Sequence, residues 1–320
     1  MNSPLEQRDG SMPSGAVSSG LFSQPPGVES VSDARSRFAD FCDLAKVRLS
    51  LLVLLVTASG FCLAADGPVD ILFLCHTVLG TAMVAFAANA LNQVLERKYD
   101  RLMCRTADRP LPAGRMSPAE ALAAALSLAA AGLVYLSTLV NLLSAVLAGL
   151  TLLLYVLAYT PLKRRTPLNT LVGAIPGAIP PMIGYAAVRG ELDLAAWLLF
   201  VILFVWQLPH FFAIAWLYRE DYARAGYRML SVVDPTGNST ARQTLGYTGL
   251  LLLVSFLPTL MGLAGPGYLA AAAILGVGLL IVALRFAAAR TRAAARFMLL
   301  ATIAYLPLLM AFMMLDWIPG

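Results

Sequence analysis

Charge is scarce in this sequence. Only 13% of its 320 residues are Asp, Glu, Lys or Arg, against 59% hydrophobic. Soluble globular domains carry about 25% charged residues, so water is not the main solvent of this chain. Cysteine is scarce too: Cys42, Cys62, Cys75 and Cys104 fall at no paired spacing, which argues against a disulfide framework or a zinc site. Alternation of polar and apolar residues is missing. The apolar runs far exceed the ~10-residue segments of a membrane β-barrel, which leaves helices as the spanning element.

What the sequence does contain is a series of apolar stretches, each close to the roughly 20 residues that cross a hydrocarbon core of about 30 Å. Spans are predicted at 49–65, 71–95, 118–138, 142–160, 168–188, 194–217, 244–263, 267–286 and 297–315. The expected fold class is all-α, a polytopic membrane protein with nine transmembrane helices. Charge sidedness tests that count. With the N-terminus cytoplasmic, every Lys and Arg falls on the cytoplasmic side except Arg189, as the positive-inside rule requires. One span more or fewer would scatter the downstream arginines over both faces. The same distribution explains the net charge of +5 without nucleic acid as a partner, and it names the lipid bilayer instead.

Residues 1–40, rich in Ser, Pro and Gly, are expected to form a disordered cytoplasmic tail, and residues 41–320 the transmembrane domain. Glu6, Asp9, Glu29 and Asp33 are out of place in a mitochondrial transit peptide, which is poor in acids. A bacterial inner membrane is the expected location.

Polar side chains at membrane depth are costly and mark functional sites. Three places hold them. At the end of the second span, Asn92, Glu96 and Asp100 are spaced four apart, which aligns three oxygen-bearing side chains on one helical stripe. Mg²⁺ prefers such oxygens and commonly bridges carboxylates to a substrate phosphate. Arg97, Arg105 and Arg109 follow closely and suit a departing diphosphate. The plainer alternative pairs Glu96 and Asp100 with Arg97, Lys98 and Arg101 on a solvated helix end. At the end of the sixth span, Pro209 can kink the helix while Gln207 and His210 project polar groups; a lone intramembrane histidine is as readily a packing residue. Between spans four and five, Tyr159 to Asn169 contains Lys163 and Arg164, either a topogenic basic loop or a diphosphate clamp completed by Asn169. The fifth span, with Pro176, Pro180, Pro181 and several glycines, is expected to line a cavity. A secondary transporter would hold its carboxylates deep in the spans; these cluster at one interface.

Taken together, these stretches resemble the UbiA superfamily of intramembrane prenyltransferases over roughly residues 40–315. The resemblance rests on Asn92 to Pro112 with Arg105-Thr106 and Arg109-Pro110-Leu111-Pro112, on Tyr159 to Asn169, and on Trp206 to Leu230 with Pro209-His210-Phe211 and Tyr218-Arg219-Glu220-Asp221-Tyr222. It implies a helical bundle around a central cavity, with transfer of a farnesyl group from farnesyl diphosphate to a vinyl group of haem B, giving haem O for terminal oxidases. Mg²⁺ is the implied cofactor. The implied catalytic residues are Asn92, Glu96, Asp100 and Asp221, and the implied metal ligands are Asn92, Glu96, Asp100, Glu220 and Asp221. Arg97, Arg105, Arg109, Lys163, Arg164 and Arg228 are implied to steady the diphosphate. Asn169, Gln207, His210 and Tyr218 are implied to line the haem and isoprenoid pocket, with His210 able to ligate iron or orient a propionate.

Two departures matter. The superfamily's first motif usually carries Asp where Glu96 stands. Its second is commonly Asp-x-x-x-Asp, whose two positions are Tyr218 and Tyr222 here, a version similar to the haem-specific branch that weakens the case for a second metal. The alternative within the family is another acceptor, an aromatic quinone precursor or a chlorin. A haem A synthase or an oxidase-assembly protein is the implied partner.

Overall fold

A computed structural model describes residues 37–318. In chain order its helices are α1 (Arg37–Ala45), α2 (Val47–Ala64), α3 (Ile71–Asp100), α4 (Pro118–Leu139), α5 (Leu142–Leu153), a π-helical segment (Leu154–Tyr159), α6 (Thr160–Leu162), α7 (Asn169–Ala178), α8 (Pro180–Arg189), α9 (Leu194–Leu217), α10 (Arg219–Arg224), α11 (Leu230–Val233), α12 (Asn238–Val254), α13 (Leu257–Leu260), α14 (Pro266–Ala289) and α15 (Arg292–Leu315). Nine spans long and apolar enough to cross a membrane are found among the described residues. The protein is an all-α, multi-pass membrane protein.

Local chemistry starts and stops these helices. Asp70, Ser117, Asn141, Asp193 and Thr291 each accept the backbone N–H three residues on, an N-cap worth about 1 kcal/mol apiece. Inside the spans, several hydroxyls are satisfied on their own helix. Thr77 and Thr81 donate to carbonyls four residues back in α3, as Thr244 and Thr248 do in α12, which removes the cost of an unpaired donor in hydrocarbon.

The helix ends segregate as the charge pattern demands. Glu96, near the end of α3, pairs with Lys163, after α6. Arg228, after α10, donates its N–H to the Lys163 carbonyl. Trp216, near the end of α9, donates to the Arg290 carbonyl after α14. At the opposite end, Arg189 forks onto both oxygens of Asp66, Asn141 donates to the carbonyls of Ala186 and Ala187, and Asp316 accepts from Tyr268. The one basic residue expected on the far face therefore has its own carboxylate there.

Three local expectations need correction. Residues 37–40, assigned to the tail, open α1, because Asp40 is buried and paired with Arg115; residues 1–36 lie outside the described region. The second span continues to Asp100 rather than 95, and the seventh begins at Asn238 rather than 244. Helix α9 runs unbroken through Pro209. Irregular backbone appears instead at Ile179, between α7 and α8, and at the π-helical turn of the fourth span, where the Thr160 hydroxyl reaches back five residues to the Tyr155 carbonyl. π-Turns gather at functional sites, and no composition signal announced this one.

Glycine sets the approach of the helices around the cavity. A side chain at Gly184 would run into the α2 backbone at Thr57, and one at Gly177 into the Gln207 amide. In lipid, where helix association depends on such close packing, these positions let α8 seat on α2 and α7 on α9.

Candidate functional site

The α3 stripe closes one wall of a mouth at one end of the helices. Asn92, Glu96 and Asp100 are 1%, 6% and 1% exposed, so their polar atoms must find partners within the protein. Their neighbours are not Arg97, Lys98 or Arg101. Lys163 Nζ lies 2.8 Å from Glu96 Oε1 and 3.0 Å from Oε2; Arg109 donates to Asp100 Oδ2 at 2.8 Å. The Thr106 hydroxyl donates to the Asp100 carbonyl at 2.7 Å, folding the loop after α3 back so that Arg109 can reach. Asn92 donates to the Thr160 hydroxyl at 3.2 Å and accepts from Lys46 Nζ at 2.9 Å.

Lys46 was missed by sequence reasoning, which counted it only as a topogenic charge. It joins α1 to α2 with φ 50°, ψ 47°, a left-handed conformation that costs a non-glycine residue roughly 1–3 kcal/mol. Side chains on α3 hold it there. Gln93 donates to the carbonyls of Asp43 and Leu44, and Asn89 donates to the Ala45 carbonyl and the Ser50 hydroxyl. The turn is thus over-determined, and the lysine is delivered to Asn92. Burial, then the Arg109 and Lys163 charges, draw the Lys46 ammonium down to about 7, with Glu96 and Asp100 pulling the other way. A lysine disfavoured by neighbouring cations sits where an added anion would be stabilised. Burial also works against Lys163, but Glu96 and the surrounding tyrosines hold its ammonium well above its ordinary value.

The same mouth also holds cations on aromatic rings. The Arg105 guanidinium lies 4.9 Å from the Tyr218 ring centroid and 5.1 Å from that of Tyr222, and donates to the Tyr222 hydroxyl at 2.9 Å. Arg164 lies 4.4 Å over Tyr99, and Lys163 lies 4.6 Å over Tyr159. Tyr227 packs against Tyr99 and Tyr222, with centroids 6.0 Å apart in each case. Its hydroxyl is buried without a hydrogen-bond partner. Burial and the nearby Glu96 carboxylate push that phenol far above its ordinary range, so it is a neutral donor. Asp221 accepts the Cys104 N–H at 3.3 Å and pairs with Arg224, tying the loop after α3 to α10.

Two cavities meet this mouth. One, of about 310 Å³, runs inward between α2, α7 and α9, with Lys46 and Asn89 near its polar end and Val56, Leu203, Trp206, Gln207, His210 and Phe211 among its walls. The π-turn contributes Tyr155 and Tyr159 to the same lining. His210 stacks on Trp206 at 5.1 Å and bonds to the Thr302 hydroxyl at 2.9 Å. The other, of about 380 Å³, is shorter and polar, lined by Glu96, Tyr99, Thr160, Arg164, Arg165 and Tyr227.

Several expected residues stand elsewhere. Asn169 does not line the cavity; it donates to the carbonyls of Thr166 and Arg228, tying two loops together. Tyr218 faces Arg105 rather than the inner cavity. Arg97 turns its guanidinium to the Val94 carbonyl of its own helix. Glu220 is exposed, and Arg228, also exposed, makes its recorded bonds through its backbone. Among the described residues no group of three or more His, Cys, Asp or Glu forms a cage for a metal.

The sequence pattern of the UbiA prenyltransferase family matches residues 53–315. The chain is 47% identical over 286 residues to the protoheme IX farnesyltransferase of Solibacter usitatus (strain Ellin6076), covering 87% of this chain and 98% of that one. Among solved structures it superposes on a digeranylgeranylglyceryl phosphate synthase with a TM-score of 0.73 at 17% identity, covering 88% and 98% of the two chains. A UbiA homologue from Archaeoglobus fulgidus, bound to DMAPP and Mg²⁺, gives 0.60 at 15% identity over 83% and 98%. At these identities the structural likeness is one of fold.

Proposed function

The chain belongs to the UbiA prenyltransferase family, and on that premise we propose that it farnesylates protohaem IX. It is a prenyltransferase that joins the farnesyl group of farnesyl diphosphate to a vinyl group of haem B, with water adding as a hydroxyl to the carbocation this leaves, so that haem O forms and diphosphate is released. The observation that carries this reading is the meeting, at one mouth, of a buried acid–amide stripe, three basic side chains and an apolar cavity. A lipid diphosphate has the complementary shape: a charged head and a greasy tail.

The donor set fits Mg²⁺. Asn92, Glu96 and Asp100 supply amide and carboxylate oxygens on one stripe, and Glu96 Oε1 has an ammonium beside it but no hydrogen bond. Mg²⁺ typically takes one or two carboxylates together with substrate phosphates rather than an all-protein cage, in keeping with the absence of such a cage among the described residues. Bound there, the ion would neutralise charge developing on the departing diphosphate.

The chain's own groups do the rest. Lys46, Lys163 and Arg109 stand ready to exchange a protein carboxylate or amide for a phosphate oxygen, stabilising charge that grows as the allylic C–O bond breaks. The cavity below excludes water from the allylic cation. Gln207 and His210 line its wall, where the acceptor's vinyl edge would approach. Arg189 alone on the far face supports a cytoplasmic N-terminus, in a bacterial inner membrane.

The test is a product assay. Purified protein is given farnesyl diphosphate with haem B or 4-hydroxybenzoate, and products are identified by mass. Haem O from the first mixture alone is the expected result; prenylated hydroxybenzoate would move the assignment to an aromatic acceptor.

A further inference from the structure

Two kinds of anion must be accommodated by an enzyme that farnesylates haem: the diphosphate of the donor and the two propionates of the acceptor. Only the first arrives with a hard divalent cation, and only that cation needs protein carboxylates. The mouth is divided along the same line. On the α3 wall, cations are paired with Asn92, Glu96 and Asp100. In the shorter cavity, of about 380 Å³, Arg164 rests on the Tyr99 ring and has no ion pair among the described residues. Arg165 stands beside it on the rim, exposed. Tyr227, 2% exposed, lines this cavity, and its buried hydroxyl, close to the Glu96 carboxylate, has no hydrogen bond of good geometry. The one carboxylate on its edge, Glu96, is already held by Lys163.

We propose that this cavity is the seat of the acceptor's carboxylates: Arg164, held flat by Tyr99, and the Tyr227 hydroxyl bind haem propionate, and thereby select a dicarboxylate porphyrin. The proposal rests on the farnesylation of haem argued above. A ring face fixes a guanidinium without neutralising it, so charge and donors stay free for a carboxylate, which a planar fork can receive in bidentate form. A buried, unpartnered hydroxyl is costly in the empty protein and recovers its hydrogen bond when a carboxylate enters. The cavity lies at the ends of two spans, between the last turns of α3, α6 and the basic loop that follows it, at the level where an amphiphile such as haem keeps its charged edge while the macrocycle lies in the apolar layer. Arg164 and Tyr227 are positioning and specificity residues; neither is assigned contact with the reacting carbons.

The experiment compares haem B with its dimethyl ester, which keeps the vinyl groups and lacks the charges, using the full chain in lipid nanodiscs. For Arg164→Gln, the KM for haem B should rise about tenfold, the worth of a charged hydrogen bond. The KM values for the dimethyl ester and for farnesyl diphosphate should stay at wild-type levels. Tyr227→Phe should show the same pattern at about threefold. Arg164 is exposed, so its replacement leaves the core intact. A rise in the KM for farnesyl diphosphate would make Arg164 a donor ligand and overturn the proposal, as would an equal effect on haem B and its ester. Failure of the wild-type protein to make haem O would sink the farnesylation reading instead.

Discussion

On the α3 wall of the mouth, Lys46, Lys163 and Arg109 stand against an amide and two carboxylates; beside them Arg105 and Arg164 rest on tyrosine rings, Arg164 on Tyr99 of α3 itself. Both arrangements immobilise cations, with different consequences. A carboxylate cancels the charge it holds and offers its own oxygens to a metal; a ring holds the cation and leaves the charge available. On the proposed function, the first group would exchange partners as a metal-bound diphosphate enters. The second can receive an anion that brings no metal. Replacing the acids commonly found in the second motif by Tyr218 and Tyr222 thus changes the kind of ligand that group suits.

The comparison can be broken most severely at Asp100. Asp100→Asn keeps the shape and removes the charge opposite Arg109; haem O formation should fall by about 10³-fold, the upper range for loss of one transition-state electrostatic contact, with expression and thermal stability in detergent near wild type. Chelation by EDTA should do the same to the native protein. Near-normal turnover in either case would remove the metal from the α3 wall.

Next in size is Lys46→Met, which keeps the aliphatic stem in its strained turn and deletes the ammonium at Asn92. A loss of about 10²-fold in kcat/KM for farnesyl diphosphate is expected, with the KM for haem B little changed. A change confined to haem B would place Lys46 with the other group.

Tyr218→Leu sharpens the distinction from the aromatic side. Losing one of the two rings beneath Arg105 should cost about two- to fivefold in kcat/KM, the range for an exposed cation–π contact. Tyr218→Phe, which retains the ring, should recover most of that. Equal losses in both variants would mean that the hydroxyl, not the ring, matters.

The smallest effect is expected farthest away. Arg189 and Asp66 form a bidentate pair at the opposite end, their side chains 25% and 59% exposed. Exposed pairs contribute about 0.2–1 kcal/mol, so Arg189→Ala should shift Tm slightly and leave haem O formation intact. Loss of activity there would show coupling between the two ends.

Much of this was legible in the sequence, for definite reasons. Period and length placed the spans, because a helix must satisfy its own backbone in lipid. The lone far-face arginine verified their number. The four-residue spacing of Asn92, Glu96 and Asp100 brought them to one stripe because a helix repeats every 3.6 residues. Partners across helices were another matter. Glu96 finds Lys163, 67 residues on, rather than its neighbours Arg97 and Lys98. Lys46 and Asn92 are 46 residues apart, and no local spacing signals that meeting. Asn169 looked like a pocket residue by its place after a basic loop, yet it spends its amide on two backbone carbonyls. The π-turn that turns Tyr155 and Tyr159 to the cavity has no signature in composition.

By itself, the sequence determined the solvent, the number of the helices, and which side chains share a helical face, because each follows from hydropathy or the pitch of a single helix. Only the tertiary structure decided which cation meets which acid, which cations are left on aromatic rings, and where the two cavities open. Those outcomes depend on the packing of α2, α3, α7 and α9 against one another, which glycines at the contacts permit and no single helix encodes.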